Sequence, residues 1–215
     1  MEGDLERLSA AARACRLCVE HPIGAPLPHG PRPVLRPSSN ARILIAGQAP
    51  GTKVHASGMP FTDASGDRLR NWLGVTSEEF YDVENFAIVP MGFCFPGQDA
   101  KGGDLPPRRE CAPAWRTPLM ALMPNIDLVL TIGLYAQSWH MGAARRGSLT
   151  ETVMDWRAVW AAPARQKVVP LPHPSWRNTG WLKKNPWFEM DLLPFLRAEI
   201  RYRLQRPSSK KSLAF

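Results

Sequence analysis

Residues 42–51 read Arg42-Ile43-Leu44-Ile45-Ala46-Gly47-Gln48-Ala49-Pro50-Gly51. A short apolar, β-branched run stopped by glycine predicts a strand buried on both faces. The Gly-Gln-Ala-Pro-Gly that follows predicts a rigid turn whose backbone N–H groups can face a ligand. Three further runs share the pattern: Phe86 to Val89, Asp127 to Ile132 closed by Gly133, and Lys167 to Leu171. Helical patterns separate them. Apolar strands alternating with helices predict an α/β fold: a three-layer α/β/α sandwich with a central, mostly parallel sheet of about four strands. In such sheets ligands bind beyond the carboxyl ends of the strands. The segments after the first and fourth strands are therefore where chemistry is expected.

Local signals place the helices. One is expected from Leu5 to about Arg16 and another from Ser65 to Leu73, with Leu69, Trp72 and Leu73 on one face. Thr76-x-x-Glu79 and Ser148-x-x-Glu151 read as capping boxes, the second starting a helix to about Trp160. Pro106 and Pro107 stand where a helix can begin, with Cys111 in its first turns. Leu134 to Met141 reads as helix, and Asn185-Pro186 opens a last one to about Leu204, kinked at Pro194. The 22 prolines crowd into 22–37, 90–124 and 163–194, which predicts long ordered loops between short elements. The 215 residues suffice for one domain, expected over 1–205, with a flexible basic tail over 206–215.

No apolar run approaches the roughly 20 residues that span a bilayer. The polar, amphipathic MEGDLERLSAAARAC lacks the apolar stretch of a secretory signal. A reducing cytoplasm of bacterial type, with association to the nucleoid, is the expected compartment. The formal net charge of +8 favours a polyanionic partner, and nucleic acid is the usual one.

The four cysteines are Cys15 and Cys18 near the start and Cys94 and Cys111 mid-chain. In a reducing compartment such clusters bind metal more often than they pair as disulfides. Two pairs from distant segments suit an all-thiolate site, either an iron–sulfur cluster or a structural zinc. Such a site would pin the N-terminal helix to the loop between Cys94 and Cys111.

Two segments carry candidate chemistry. The first joins Gly47-Gln48-Ala49-Pro50-Gly51 to Ser57-Gly58-Met59-Pro60-Phe61-Thr62-Asp63-Ala64-Ser65-Gly66. Phe61 can stack on a planar ligand or pack in the core. The second is His173-Pro174-Ser175-Trp176-Arg177-Asn178 at the exit of the fourth strand, followed by Lys183 and Lys184 at a distance that suits phosphate contacts.

Together these segments resemble the uracil-DNA glycosylase superfamily, over roughly Cys15 to Phe195. GQAPG with SGMPFTDASG is similar to the family's water-activating and base-stacking loop. HPSWRN is similar to its minor-groove loop. The cysteine pattern is similar to that of the iron–sulfur branch, family 4. The resemblance implies excision of a damaged base from DNA, and a [4Fe–4S] cluster on Cys15, Cys18, Cys94 and Cys111, with structural zinc as the alternative. It makes His173 the donor to the departing base, with Gln48 and Ala49 contributing backbone groups and Phe61 stacking on the base. Ser175, Trp176, Arg177 and Asn178 would meet the duplex, Arg177 standing where other members often place an apolar intercalating residue. The expected partner is DNA carrying uracil or an abasic site, the expected state a monomer.

The chain departs from the family pattern in two places. The best-known branch has aspartate where Ala49 stands, another has asparagine, and family 4 members usually have glutamate where Gln48 stands. Asp63 and His55 are the nearby replacements for the water activator, and the competing role of Asp63 is to cap the helix near Ser65. Family 4 members also usually place an asparagine shortly before the third cysteine, where this chain has Val89-Pro90-Met91-Gly92-Phe93. The expected function is a monofunctional glycosylase, since no lysine other than Lys53 stands near either motif's nucleophile position. The alternative is a protein that binds damaged or abasic DNA with weak or lost catalysis.

Overall fold

The computed structural model describes residues 2–206, so the expected tail lies outside the described residues except for Arg206. In chain order the elements are α1 (Glu2–Arg13), α2 (Leu17–Glu20), β1 (Ile43–Ala46), α3 (Thr52–Ser57), α4 (Ala64–Leu73), α5 (Ser77–Tyr81) and β2 (Phe86–Ile88). There follow α6 (Cys111–Ala121), β3 (Leu128–Ile132), α7 (Leu134–Met141), α8 (Leu149–Met154), α9 (Trp156–Ala161), β4 (Lys167–Leu171), α10 (Thr179–Lys184) and α11 (Leu193–Gln205).

The four strands form one parallel sheet in the order β2-β1-β3-β4. The continuous apolar character of each strand has a direct cause, because both faces are covered. Ile43, Ile45, Leu128, Leu130, Ile132, Val169 and Leu171 point into a core closed by α4, α9, α11 and the turn at Phe188. Leu44, Ala46, Ala87 and Val129 point the other way, onto α1, α6 and α7. The result is the expected three-layer α/β/α sandwich.

Several boundaries differ from the expectation. The N-terminal helix ends at Arg13, so Cys15 sits in the link to α2 and Cys18 on α2 itself. The helix expected near Pro106 begins at Cys111, which stands in its first turn as expected. The helix after Ser148 is broken at Asp155 into α8 and α9. The 48–64 loop contains α3, closed by Gly58 in the left-handed region at φ 73°. Pro194 lies in the first turn of α11, directly after the π-helical segment Phe188–Leu192. Both capping boxes are present, at Thr76–Glu79 and Ser148–Glu151.

Candidate active site

The exits of β1, β2 and β4 open into one cavity of about 550 Å³ at the carboxyl edge of the sheet. Gln48, Ala49, Phe61, Asp63, His173 and Trp176 line it. The two motifs, more than a hundred residues apart in sequence, thus face each other across a single space. The β1 turn is knitted to the β2 exit by two bonds: Met91 N–H donates to Gly47 O (2.9 Å) and Gly92 N–H to Gln48 O (2.9 Å).

Phe61 is held in a costly conformation. Its φ of 58° makes it the one non-glycine residue with positive φ among the described residues, a state strongly disfavoured for a bulky side chain. Three groups enforce it. Arg70 Nη1 and Tyr81 Oη each donate to Phe61 O at 3.0 Å, and Gly66 leaves room for that carbonyl. The ring stands 3.6 Å from where a Cβ on Gly47 would be and edge-on to Phe80. Phe61 packs on the core and its ring also lines the cavity.

Asp63 is the N-cap of α4, its Oδ1 accepting from Gly66 N–H at 3.2 Å. The capping role is thus present, and the residue also lines the cavity.

His173 follows β4 between two buried prolines. Burial holds its pKa below the usual imidazole range, with Asp63 and Asp104 pulling weakly the other way. The ring is therefore neutral at pH 7 and able to donate. Its carbonyl accepts from Asn178 Nδ2 at 2.7 Å, which folds the HPSWRN loop back on itself. Arg68 of α4 ties the same loop to the first motif, donating to Ser175 O at 2.8 Å and to Thr179 Oγ1 at 3.3 Å. Arg177 is tied down too, with Nη2 on Gly102 O at 3.0 Å. Trp176 beside it is 74% exposed.

Comparison with protein families matches residues 34–197 to the uracil DNA glycosylase superfamily. The chain belongs to the uracil DNA glycosylase superfamily. The superfamily acts on DNA through glycosylase hydrolysis. Cys15 and Cys18 lie before the matched segment, and Cys94 and Cys111 lie within it.

Within this glycosylase fold the remaining expected residues separate. His55 lies on α3 but its ring is among His29 (4.4 Å between centroids) and Phe95 (5.9 Å), not among the cavity-lining residues. Burial and the neighbouring His29 and Arg32 lower its pKa. Lys183 and Lys184 are exposed at the end of α10, on the flank beyond the HPSWRN loop. Lys53 does line the cavity. Sequence reasoning missed Asp104 and Gln98, which reach the cavity from the loop between Cys94 and Cys111. Their only sequence signal was a carboxylate flanked by Gly102, Gly103 and Pro106 in that loop.

All four cysteines line one small cavity with Leu17, Phe93 and Glu110. None forms a disulfide. Cys111 Sγ accepts from Phe93 N–H (3.3 Å) and Cys15 Sγ from Trp115 Nε1 (3.2 Å). Cys18 is held down to about 7 by the hydrogen bond from Cys94, whose own thiol is pushed up by that bond and by burial. Burial raises Cys111 to about 12. No group of three or more His, Cys, Asp or Glu side chains among the described residues is placed to hold a metal ion.

Behind the pocket, Arg116 of α6 is fully buried and donates to Val89 O (2.8 Å) and Pro90 O (3.0 Å), the backbone just past β2. Its other nitrogen meets His140 Nε2. The pair fixes the strand exit that carries Pro90 into the cavity wall.

Proposed function

We propose that this chain is a monofunctional DNA glycosylase that hydrolyses the N-glycosidic bond of uracil, and of other deaminated bases the pocket admits, in base excision repair. One observation carries the reading: a half-buried imidazole, a strained aromatic and two carboxylates from three different segments converge on one base-sized cavity.

The target base leaves the stack and enters the cavity, where it lies against Phe61. Bond cleavage sends negative charge to the base oxygens and positive charge to the sugar. A neutral His173 N–H aimed at the base oxygen gains strength as that charge develops, and the gain is largest in a dry site. Gln48 lines the cavity, where its amide would meet the base edge. Trp176 is the wedge that fills the vacated stack. Arg177 is occupied on Gly102 O and braces the loop instead.

Cys15, Cys18, Cys94 and Cys111 would hold a [4Fe–4S] cluster. The donor set supports this: four thiols from three segments surround a cavity, two of them accepting N–H hydrogen bonds of the kind that stabilise thiolates. The group would supply cross-links between the N-terminus and the loop 94–111, not bond chemistry.

The test is an excision panel. Enzyme in excess over duplex or single-stranded DNA carrying uracil, hypoxanthine or xanthine is expected to leave alkali-labile abasic sites, with uracil the first substrate. Borohydride trapping is expected to give no covalent adduct, Lys53 notwithstanding. Salt-dependent binding to abasic DNA without any excision would establish the alternative, a damage-binding protein.

A further inference from the structure

Asp104 sits on the segment 97–105, which folds as a small hairpin over the cavity. Gln98 and Asp104 form an isolated antiparallel bridge, Leu105 N–H donates to Gly97 O (2.9 Å), and Asp99 N–H donates to Gly103 O (2.8 Å). Asp99 Oδ1 closes the tip by accepting from the N–H groups of Lys101 and Gly103, both at 2.8 Å. Arg177 anchors that tip to the HPSWRN loop through Gly102 O. The hairpin is thus a built structure, fixed from within and from the opposite motif.

It presents a carboxylate to the cavity. Asp104 Oδ1 accepts from Gln98 Nε2 at 3.2 Å. Its Oδ2 points at the first motif, so close that a Cβ on Gly51 would stand 3.3 Å away. Asp104 also lies within electrostatic reach of His173. The other cavity carboxylate, Asp63, already spends one oxygen capping α4. The GQAPG turn itself contains no acid.

We infer that Asp104 is the catalytic base, holding and deprotonating the water that attacks the sugar. The inference rests on the glycosylase reading given above. The C1′–N bond breaks and its electron pair leaves with the base, whose oxygen His173 N–H stabilises. The water oxygen then forms the new bond to C1′. One water proton passes to Asp104 and on to solvent, and the base anion takes a proton from solvent, so that one water is consumed per bond hydrolysed. Before attack, the Asp104 charge also stabilises the positive sugar.

The experiment compares wild type, Asp104→Asn, Asp104→Ala and Asp63→Asn in single-turnover excision of uracil. Affinity for a duplex carrying an uncleavable uracil nucleotide and Tm are measured alongside. Loss of a positioned base costs about 100-fold or more. The expected result is that loss in Asp104→Asn, with affinity within about threefold and Tm unchanged, and partial recovery of Asp104→Ala by added formate. Excision by Asp104→Asn within about threefold of wild type overturns the inference while the glycosylase reading stands. A rate loss matched by equal losses of affinity or Tm overturns it as well, because the residue is then structural. Absence of excision by wild type on every substrate removes the parent reading and this one together.

Discussion

Arg68 Nη1 donates to the carbonyl oxygen of Ser175 at 2.8 Å, joining the helix that follows the first motif to the loop of the second. The same guanidinium reaches Thr179 Oγ1 at 3.3 Å. This contact fixes the distance between the cavity wall at Phe61 and the loop that carries His173. Arg68→Met removes both bonds. A hydrogen bond from a charged group is worth about 1.5–3 kcal/mol, so KM for a uracil duplex is expected to rise about tenfold. Steady-state kinetics with a parallel melt, showing Tm little changed, checks this.

Gly66 has no room for a side chain. A Cβ there would lie 1.7 Å from Phe61 O and 2.5 Å from its carbonyl carbon. Gly66→Ala must therefore push Phe61 out of its left-handed conformation and off Arg70 and Tyr81. Overpacking of this kind costs about 1–3 kcal/mol. Excision is expected to fall further than stability does, and single-turnover assays beside chemical denaturation separate the two.

Trp176 is exposed, so Trp176→Ala is expected to leave stability within about 0.5 kcal/mol of wild type. Stacking of an aromatic on a base is worth about 1–3 kcal/mol. Excision from duplex should drop by about tenfold or more and excision from single strands by much less, because only the duplex has a gap to fill. Parallel assays on the two substrates decide it.

His140 is half-buried against Arg116, and loss of solvation first, then that positive charge, hold its pKa down to about 3. The unfolded chain binds this proton near the ordinary value of about 6.5. Above that pH neither state is protonated and the group contributes no slope. As pH falls from about 6.5 toward 3 only the unfolded state gains the proton, so folding stability declines. Urea midpoints between pH 7 and 5, above most carboxylate titration, should show this decline, and His140→Gln should make it shallower, the remainder coming from His173 and His55.

Loss of any thiolate is expected to release the loop between Cys94 and Cys111. Serine at Cys15, Cys18, Cys94 or Cys111 should remove the iron content and the brown absorbance, and lower Tm by about 5 °C or more. Excision should fall with it, since the hairpin bearing Asp104 springs from that loop. Metal and sulfide analysis of the purified protein checks the premise, and a colourless wild type containing zinc would overturn it.

The sequence by itself determined the sheet and its layers. Runs such as Ile43–Ala46 and Leu128–Ile132 are apolar at every position because both faces are covered, and that pattern needs no tertiary information to read. Capping at Thr76 and Ser148 was equally local, since the side chains involved lie within four residues of one another. The two motifs were visible as loops at strand ends. Tertiary structure alone decided which side chains share the cavity. Asp104 enters it from a loop more than fifty residues beyond Gly51, while His55, only four residues beyond Gly51, turns away to His29 and Phe95. Nearness along the chain sets backbone geometry. Nearness in space is set by where the parallel strands deliver their carboxyl ends, and the latter governs a site assembled from loops.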